Sequence, residues 1–200
     1  MLNRRNLLAA GIAALGTAAT RVGAQDMTAS AEVLPPQLMP QVVPVQAGLP
    51  VGEIHVDPDR FALYWTLPGA MAIRYPCGIG RPGLYEPGVY DVGAKKEWPS
   101  WTPTPDMVER EPELYEPYAE EGMAGGPDNP LGARALYLFT PERGDTYLRI
   151  HGTNAPQTIG AAVSNGCARL LNDQIVDLYE RVPLGTKVVL YPKSGLILPA

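Results

Sequence analysis

The sequence predicts a mainly β fold: a single sandwich- or barrel-like domain with one α-helix at about 172–182 and a long insertion at about 95–130. Three observations carry this. Apolar and polar residues alternate over short runs, the period of a half-buried strand. Proline (22) and glycine (21) make up about a fifth of the chain while charged residues are only 18%, a turn-rich composition unlike that of a helical bundle. Only one stretch carries a helical repeat bounded by a cap and a stop. Two hundred residues suit one domain with tails.

Taken in order, Asn3-Arg4-Arg5-Asn6 precedes a short apolar run, Leu7 to Ala19, and small residues near Val22-Gly23-Ala24. That is the layout of an export signal over 1–24, and the paired arginines match the twin-arginine type, with an ordinary secretory signal as the other reading. The run is shorter than the roughly 20 residues of a membrane span, so no span is expected in the mature chain. Residues 25–50 hold Pro35, Pro36, Pro40, Pro44 and Pro50; proline removes donors and fixes φ, which reads as a flexible tether. Cleavage after residue 24 leaves 13 basic against 21 acidic residues, a net charge of −8. This argues against nucleic acid and against a polybasic membrane patch.

The domain proper is read as 51–192, with a tail at 193–200. Gly52–Asp57 and Arg60–Leu67 read as strands joined at Asp57-Pro58-Asp59-Arg60, with Ile54 and Val56 on one face of the first. Ala70–Tyr75 and Val89–Val92 follow as two more. His55 is read as a surface strand residue, and Cys77 as a small buried filler rather than a disulfide partner of Cys167. The insertion opens with Trp98 and Trp101 between prolines and continues through seven acids, Asp106, Glu109, Glu111, Glu113, Glu116, Glu120 and Glu121. Pro105 suits the first turn of a short helix that Pro112 would end. Long loops inside compact domains are usually functional. Either the insertion is a lid whose tryptophans contact a bound peptide, or the tryptophans pack beneath it and the acids form a solvated face.

Ala133–Phe139 and Thr146–Ile150 are strands around Glu142–Asp145, and the second runs directly into His151. Asn172–Val182 is the helix: Asn172 can cap it, Ile175, Leu178, Tyr179 and Val182 share a face, and Pro183 stops it. Thr186–Tyr191 is a terminal strand. No repeat, dinucleotide-binding or phosphate-loop fingerprint occurs, and two separated histidines with two cysteines lack metal-ligand spacing. No cofactor or metal is expected.

The chemistry lies between His151 and Arg169. One of two histidines and one of two cysteines stand sixteen residues apart among glycines and small polar residues. A thiol becomes a nucleophile when a base takes its proton, and imidazole titrates in the range that suits the exchange. Cys167 is the candidate nucleophile and His151 the base. Asn154 is one candidate orienter of His151, and a backbone carbonyl is another. The N–H groups of Asn165, Gly166 and Cys167 can form an oxyanion hole on the tight turn that Gly166 permits. Arg169 stands ready to bind a substrate carboxylate or stabilise a thiolate, unless a structural salt bridge occupies it. Ser164 is a candidate for hydrogen bonding within the loop or to substrate.

His151-Gly-Thr, Ile159-Gly160 and Ser164-Asn-Gly-Cys-Ala-Arg169 together resemble the active-site signature of the L,D-transpeptidases, the YkuD or ErfK/YbiS family. The resemblance runs from about Gly52 to Pro192, and it departs at Asn165, where the family usually has His. It implies that the Gly152 carbonyl orients His151. It also implies a periplasmic enzyme acting on peptidoglycan stem peptides: Cys167 would attack the third residue of a tetrapeptide stem, release D-alanine, and pass the acyl group to an amine in a 3→3 crosslink. Substrate contacts would come from Arg169, Ser164, Trp98 and Trp101, and carbapenem-type β-lactams would inhibit. Water as acceptor (an L,D-carboxypeptidase), attachment of envelope proteins to the wall, and a non-catalytic peptidoglycan-binding relative are the alternatives.

Overall fold

The computed structural model describes residues 35–193; the export signal, the first part of the expected tether and nearly all of the tail lie outside the described residues. The described residues hold eleven short strands, three α-helices and three single-turn 3-10 helices. In chain order the strands and α-helices are β1 (Gln41–Pro44), β2 (Ile54–Asp57), β3 (Ala62–Leu67), β4 (Met71–Pro76), β5 (Ile79–Gly80), β6 (Gly88–Glu97), α1 (Pro105–Arg110), α2 (Pro112–Tyr115), β7 (Arg134–Thr140), β8 (Gly144–His151), β9 (Ala162–Ser164), β10 (Ala168–Arg169), α3 (Asn172–Arg181) and β11 (Lys187–Leu190). Nine strands form one sheet in the order β1-β4-β3-β2-β11-β6-β7-β8-β10, and β5 pairs with β9 apart from it. The fold is mainly β, as the alternation predicts. The sheet stays open, with β1 and β10 as its edges, so the barrel-like expectation gives way.

Alternation explains the core. Ile54, Val56, Leu63, Tyr75, Leu136, Leu138, Ile150 and Val188 are almost fully buried in one cluster, closed by Ile175, Leu178 and Val182 of α3. These helix residues lie one turn apart on one stripe, which packs on β7 and β8. Leu171, not Asn172, is the N-cap of α3. Lys95 closes the other end, its Nζ donating to the carbonyls of Tyr179 and Val182 at 2.6 Å each, where a cation also suits the helix dipole.

The expectation of a tether over residues 25–50 is corrected from Pro35 onward. β1 pairs antiparallel with β4 from Gln41↔Arg74 to Pro44↔Met71, and Val45 is buried against Ala62, Tyr64 and Ala72. Proline is tolerated here because β1 is an edge strand and needs donors on one side only. Gln174 on α3 donates to the Leu38 carbonyl at 2.5 Å. His55 is likewise not on the surface: β2 is flanked by β3 and β11 with both faces covered, leaving His55 2% exposed. Its Nδ1 is 2.9 Å from the Tyr191 hydroxyl, and burial pushes its pKa down. Cys77 is the buried filler expected, unpaired and with its thiol pushed up to about 12 by burial.

Docking of 35–50 yields a stability prediction. Val45→Ala should cost on the order of 2 kcal/mol in urea unfolding, the price of two buried methyl groups. A chain beginning at Val51 should unfold at lower urea than one beginning at Gln25; equal midpoints would mean the segment is only a tether.

Candidate functional site

His151 ends β8, and β10 runs parallel beside it with Arg169 opposite His151 and Ala168 opposite Ile150. This pairing brings Cys167 alongside the end of β8. A cavity of about 930 Å³ opens there, and Cys167, His151, Arg149, Arg169, Tyr147 and Trp101 are among its walls. Its roof is the insertion, where α1 follows an N-cap at Thr104 whose hydroxyl accepts from the Met107 N–H. As expected, α1 starts at Pro105 and stops before Pro112, with Glu111 as its C-cap; Pro112 then opens a second short helix, α2.

The His151 ring is buried, 4% exposed. Its Nδ1 is 2.6 Å from the Gly152 carbonyl oxygen. A carbonyl only accepts, so Nδ1 carries the proton and Nε2 keeps its lone pair. Asn154, the rival orienter, instead donates to the Asp128 carbonyl at 2.7 Å. Burial lowers the His151 pKa to about 4, with the Gly152 and Leu131 carbonyls opposing and Arg169 and Arg149 reinforcing the shift. Cys167 is a free, half-buried thiol. Burial pushes its pKa up, and the Arg149 backbone and the Arg149 and Arg169 guanidiniums pull it back. Both shifts favour the uncharged form of the group.

The turn before Cys167 is built by close approach. Gly166 has φ +117°, and a Cβ there would sit 2.8 Å from the Leu84 carbonyl oxygen, so the position requires glycine. Ser164 Oγ donates to the Cys167 carbonyl at 2.7 Å, which spends that hydroxyl on bracing the loop. Among the described residues the N–H groups of Asn165, Gly166 and Cys167 make no backbone hydrogen bond. On the other side, Asn172 accepts from the Ala133 N–H at 3.0 Å and the Thr153 N–H at 3.2 Å. Its side chain pins the segment just after β8 rather than capping α3. Gly152 is packed close to the same amide: a Cβ there would lie 2.2 Å from Asn172 Oδ1, which its two hydrogen bonds hold in place.

Arg169 is buried, and its guanidinium donates to the Thr158 carbonyl at 3.3 Å. Its Nε has no partner, and among the described residues no carboxylate pairs with it, so the salt-bridge reading is corrected. Trp101 lines the cavity and also packs against Tyr115 and Tyr118 within the insertion. Trp98 is 46% exposed and is not part of the cavity wall. Of the seven acids, Glu111 is engaged, in a pair with Arg81.

Two further residues of β8 stand on the cavity wall close to the thiol, Arg149 and Tyr147. Arg149 holds Asp145 through two bonds, 2.6 and 2.9 Å, and lies 4.0 Å over the Tyr137 ring. Its spacing of two from His151 in a strand was the signal that both face one side. Tyr147 has φ +61° and is 68% exposed. From Tyr137↔Arg149 to Phe139↔Asp145, β7 advances two residues while β8 advances four. This bulge leaves the Tyr147 carbonyl 4.0 Å from Cys167 Sγ. Bulges recur beside active sites, where they re-aim the chain.

A family model for the L,D-transpeptidase catalytic domain, YkuD, matches residues 52–190. The chain belongs to this family. Among its relatives is the Escherichia coli "Probable L,D-transpeptidase ErfK/SrfK", 41% identical over 144 residues, covering 68% of this chain and 42% of that protein. A second, "Probable L,D-transpeptidase YbiS" of the same species, is 41% identical over 138 residues, 68% of this chain and 43% of that protein. The chain thus spans less than half the length of these two relatives. A solved Brucella melitensis protein, described as a probable carnitine operon oxidoreductase, is 47% identical with a TM-score of 0.53, covering 78% of this chain and 95% of that one. An L,D-transpeptidase from Mycobacterium smegmatis shares the fold at 19% identity and a TM-score of 0.51, over 70% of this chain and 58% of that one.

The buried neutral imidazole ties stability to pH. Its native pKa is about 4 against an ordinary 6.5. As pH falls below 6.5 the unfolded chain binds a proton that native His151 refuses, so stability is full above that value and declines toward pH 4. The loss is about 3 kcal/mol. In urea unfolding at pH 7 and pH 4.5, His151→Gln should lose clearly less stability than the wild type; equal losses would contradict the assignment.

Proposed function

We propose that this chain is a periplasmic cysteine-dependent L,D-transpeptidase that crosslinks peptidoglycan stem peptides. The observation that carries the reading is a half-buried thiol and a buried imidazole on the walls of one cavity, the imidazole oriented by the Gly152 carbonyl at Nδ1. Membership of the L,D-transpeptidase family supports the substrate class. Among the described residues no helix is long and apolar enough to cross a membrane.

In the proposed cycle, Cys167 Sγ adds to the carbonyl carbon of the third stem residue as its proton passes to His151 Nε2. The oxyanion is received by the N–H groups of Asn165, Gly166 and Cys167. His151 then returns the proton to the departing D-alanine amine, leaving an acyl-enzyme. An amine from a neighbouring stem attacks it, gives its proton to Nε2, and expels the thiolate, which recovers the proton. Starting from a neutral pair, proton transfer accompanies attack, which is general-base rather than preformed-thiolate catalysis. Arg169, without a carboxylate of its own, is held for the substrate's, and Trp101 and Tyr147 supply apolar wall for the stem.

The mature protein should gain the mass of one carbapenem, and Cys167→Ala should gain none. With purified stem tetrapeptide the expected product is a dimer less one D-alanine. Tripeptide alone would reassign the acceptor to water, and unchanged tetrapeptide without a carbapenem adduct would sink the catalytic reading.

A further inference from the structure

A small polar cluster ties the two helices of the insertion to the body of the domain, and it ends on the residue two before Cys167. Asn165 Oδ1 accepts from the guanidiniums of Arg81, at 3.1 Å, and Arg110, at 3.0 Å. Asn165 Nδ2 donates to the Tyr115 hydroxyl at 2.8 Å. Arg81 also grips Glu111 with two bonds, at 3.0 and 2.5 Å. Arg110 belongs to α1, Tyr115 to α2 and Glu111 to the break between them. Arg81 belongs to the body, where its backbone N–H donates to the Ser164 carbonyl at 2.9 Å. One carboxamide therefore joins both helices of the roof to the loop that carries the thiol.

The chemistry of the side chain fits this place. A carboxamide oxygen has two lone pairs and can accept from two guanidiniums while its nitrogen donates to a hydroxyl. An imidazole has one acceptor at most and cannot satisfy both arginines. The amide orientation is fixed by the same network, since the flipped form would aim N–H donors at two cations. The loop below has little freedom of its own: Ser164 Oγ ties it to the Cys167 carbonyl and Gly166 is wedged against Leu84. A pull on Asn165 is thus passed to the N–H groups of residues 165–167.

We propose that Asn165 is a positioning residue that latches the acidic insertion to the oxyanion loop, so that closing the roof and ordering the loop are one event. The proposal deepens the transpeptidase reading and rests on it for its effect on turnover, but the latch itself has a separate readout. Breaking it opens the roof over Cys167 and loosens the loop. The ion pair half is open to solvent, so salt weakens the latch.

The test compares alkylation of Cys167 by a small reagent, iodoacetamide, and a bulky one, a pyrene maleimide. Wild type, Glu111→Gln, Asn165→Ala, Asn165→Asp and the double variant Glu111→Gln/Asn165→Ala are used, each checked for an unchanged circular dichroism spectrum. Asn165→Ala and Glu111→Gln should each raise the bulky-to-small rate ratio roughly fivefold, the weight of a partly exposed ion pair with its hydrogen bonds. Asn165→Asp keeps the acceptors for both arginines and should stay near wild type. The double variant should exceed neither single one by much, because both break one latch. On tetrapeptide, the same two single variants should lower kcat more than they raise KM. Equal alkylation ratios in all five proteins, or additive effects in the double variant, would overturn the latch. A wild type that shows the expected ratios but never turns over tetrapeptide would overturn the transpeptidase reading and leave the latch standing.

Discussion

The hydrogen bond from His151 Nδ1 to the Gly152 carbonyl, 2.6 Å long, is the contact on which the site depends. It fixes the tautomer, and so decides which ring nitrogen can take a proton. Much of the surrounding fold serves to hold that carbonyl still. Gly152 follows β8 directly, its N–H bonds to the Arg134 carbonyl, and Asn172 braces the next residue from the first turn of α3. A strand on one side and a helix on the other give the rigid support a preorganised site needs.

Electrostatics then sets the resting state. Burial raises the thiol and lowers the imidazole, while Arg149 and Arg169 stand near both. The two guanidiniums disfavour an imidazolium and favour a thiolate, so their effects on the two halves of a preformed ion pair offset each other. Desolvation is the largest influence on each group, and for both it favours the uncharged form. Arg149 is itself held by Asp145, whereas Arg169 has a carbonyl alone. The free capacity of the site for an anion therefore lies at Arg169.

Much of this was legible in the sequence because it is local. Alternation marks β2, β3, β7 and β8, a one-turn repeat marks α3, and the His151-to-Arg169 spacing brings the thiol and imidazole into one loop system. What was not legible is tertiary. β1 is hidden by its prolines, which only an edge position tolerates. His55 is buried because β2 acquires neighbours on both sides, one of them β11 from the far end of the chain. Asn172 looks like a cap, and its oxygen goes instead to two N–H groups that the sheet happens to bring near. The junction of Arg81, Arg110, Glu111, Tyr115 and Asn165 spans some eighty positions and leaves no periodic trace. Arg149 was within reach, since residues two apart in a strand share a face.

The most direct test of the central claim is the protonation state of the His151 ring, read from its imidazole ¹⁵N shifts between pH 5 and 8 in the Cys167→Ala and wild-type proteins. A neutral ring with the proton on Nδ1 across that whole range is the predicted result. An imidazolium at neutral pH in the wild type, or a ring protonated on Nε2, would contradict the account.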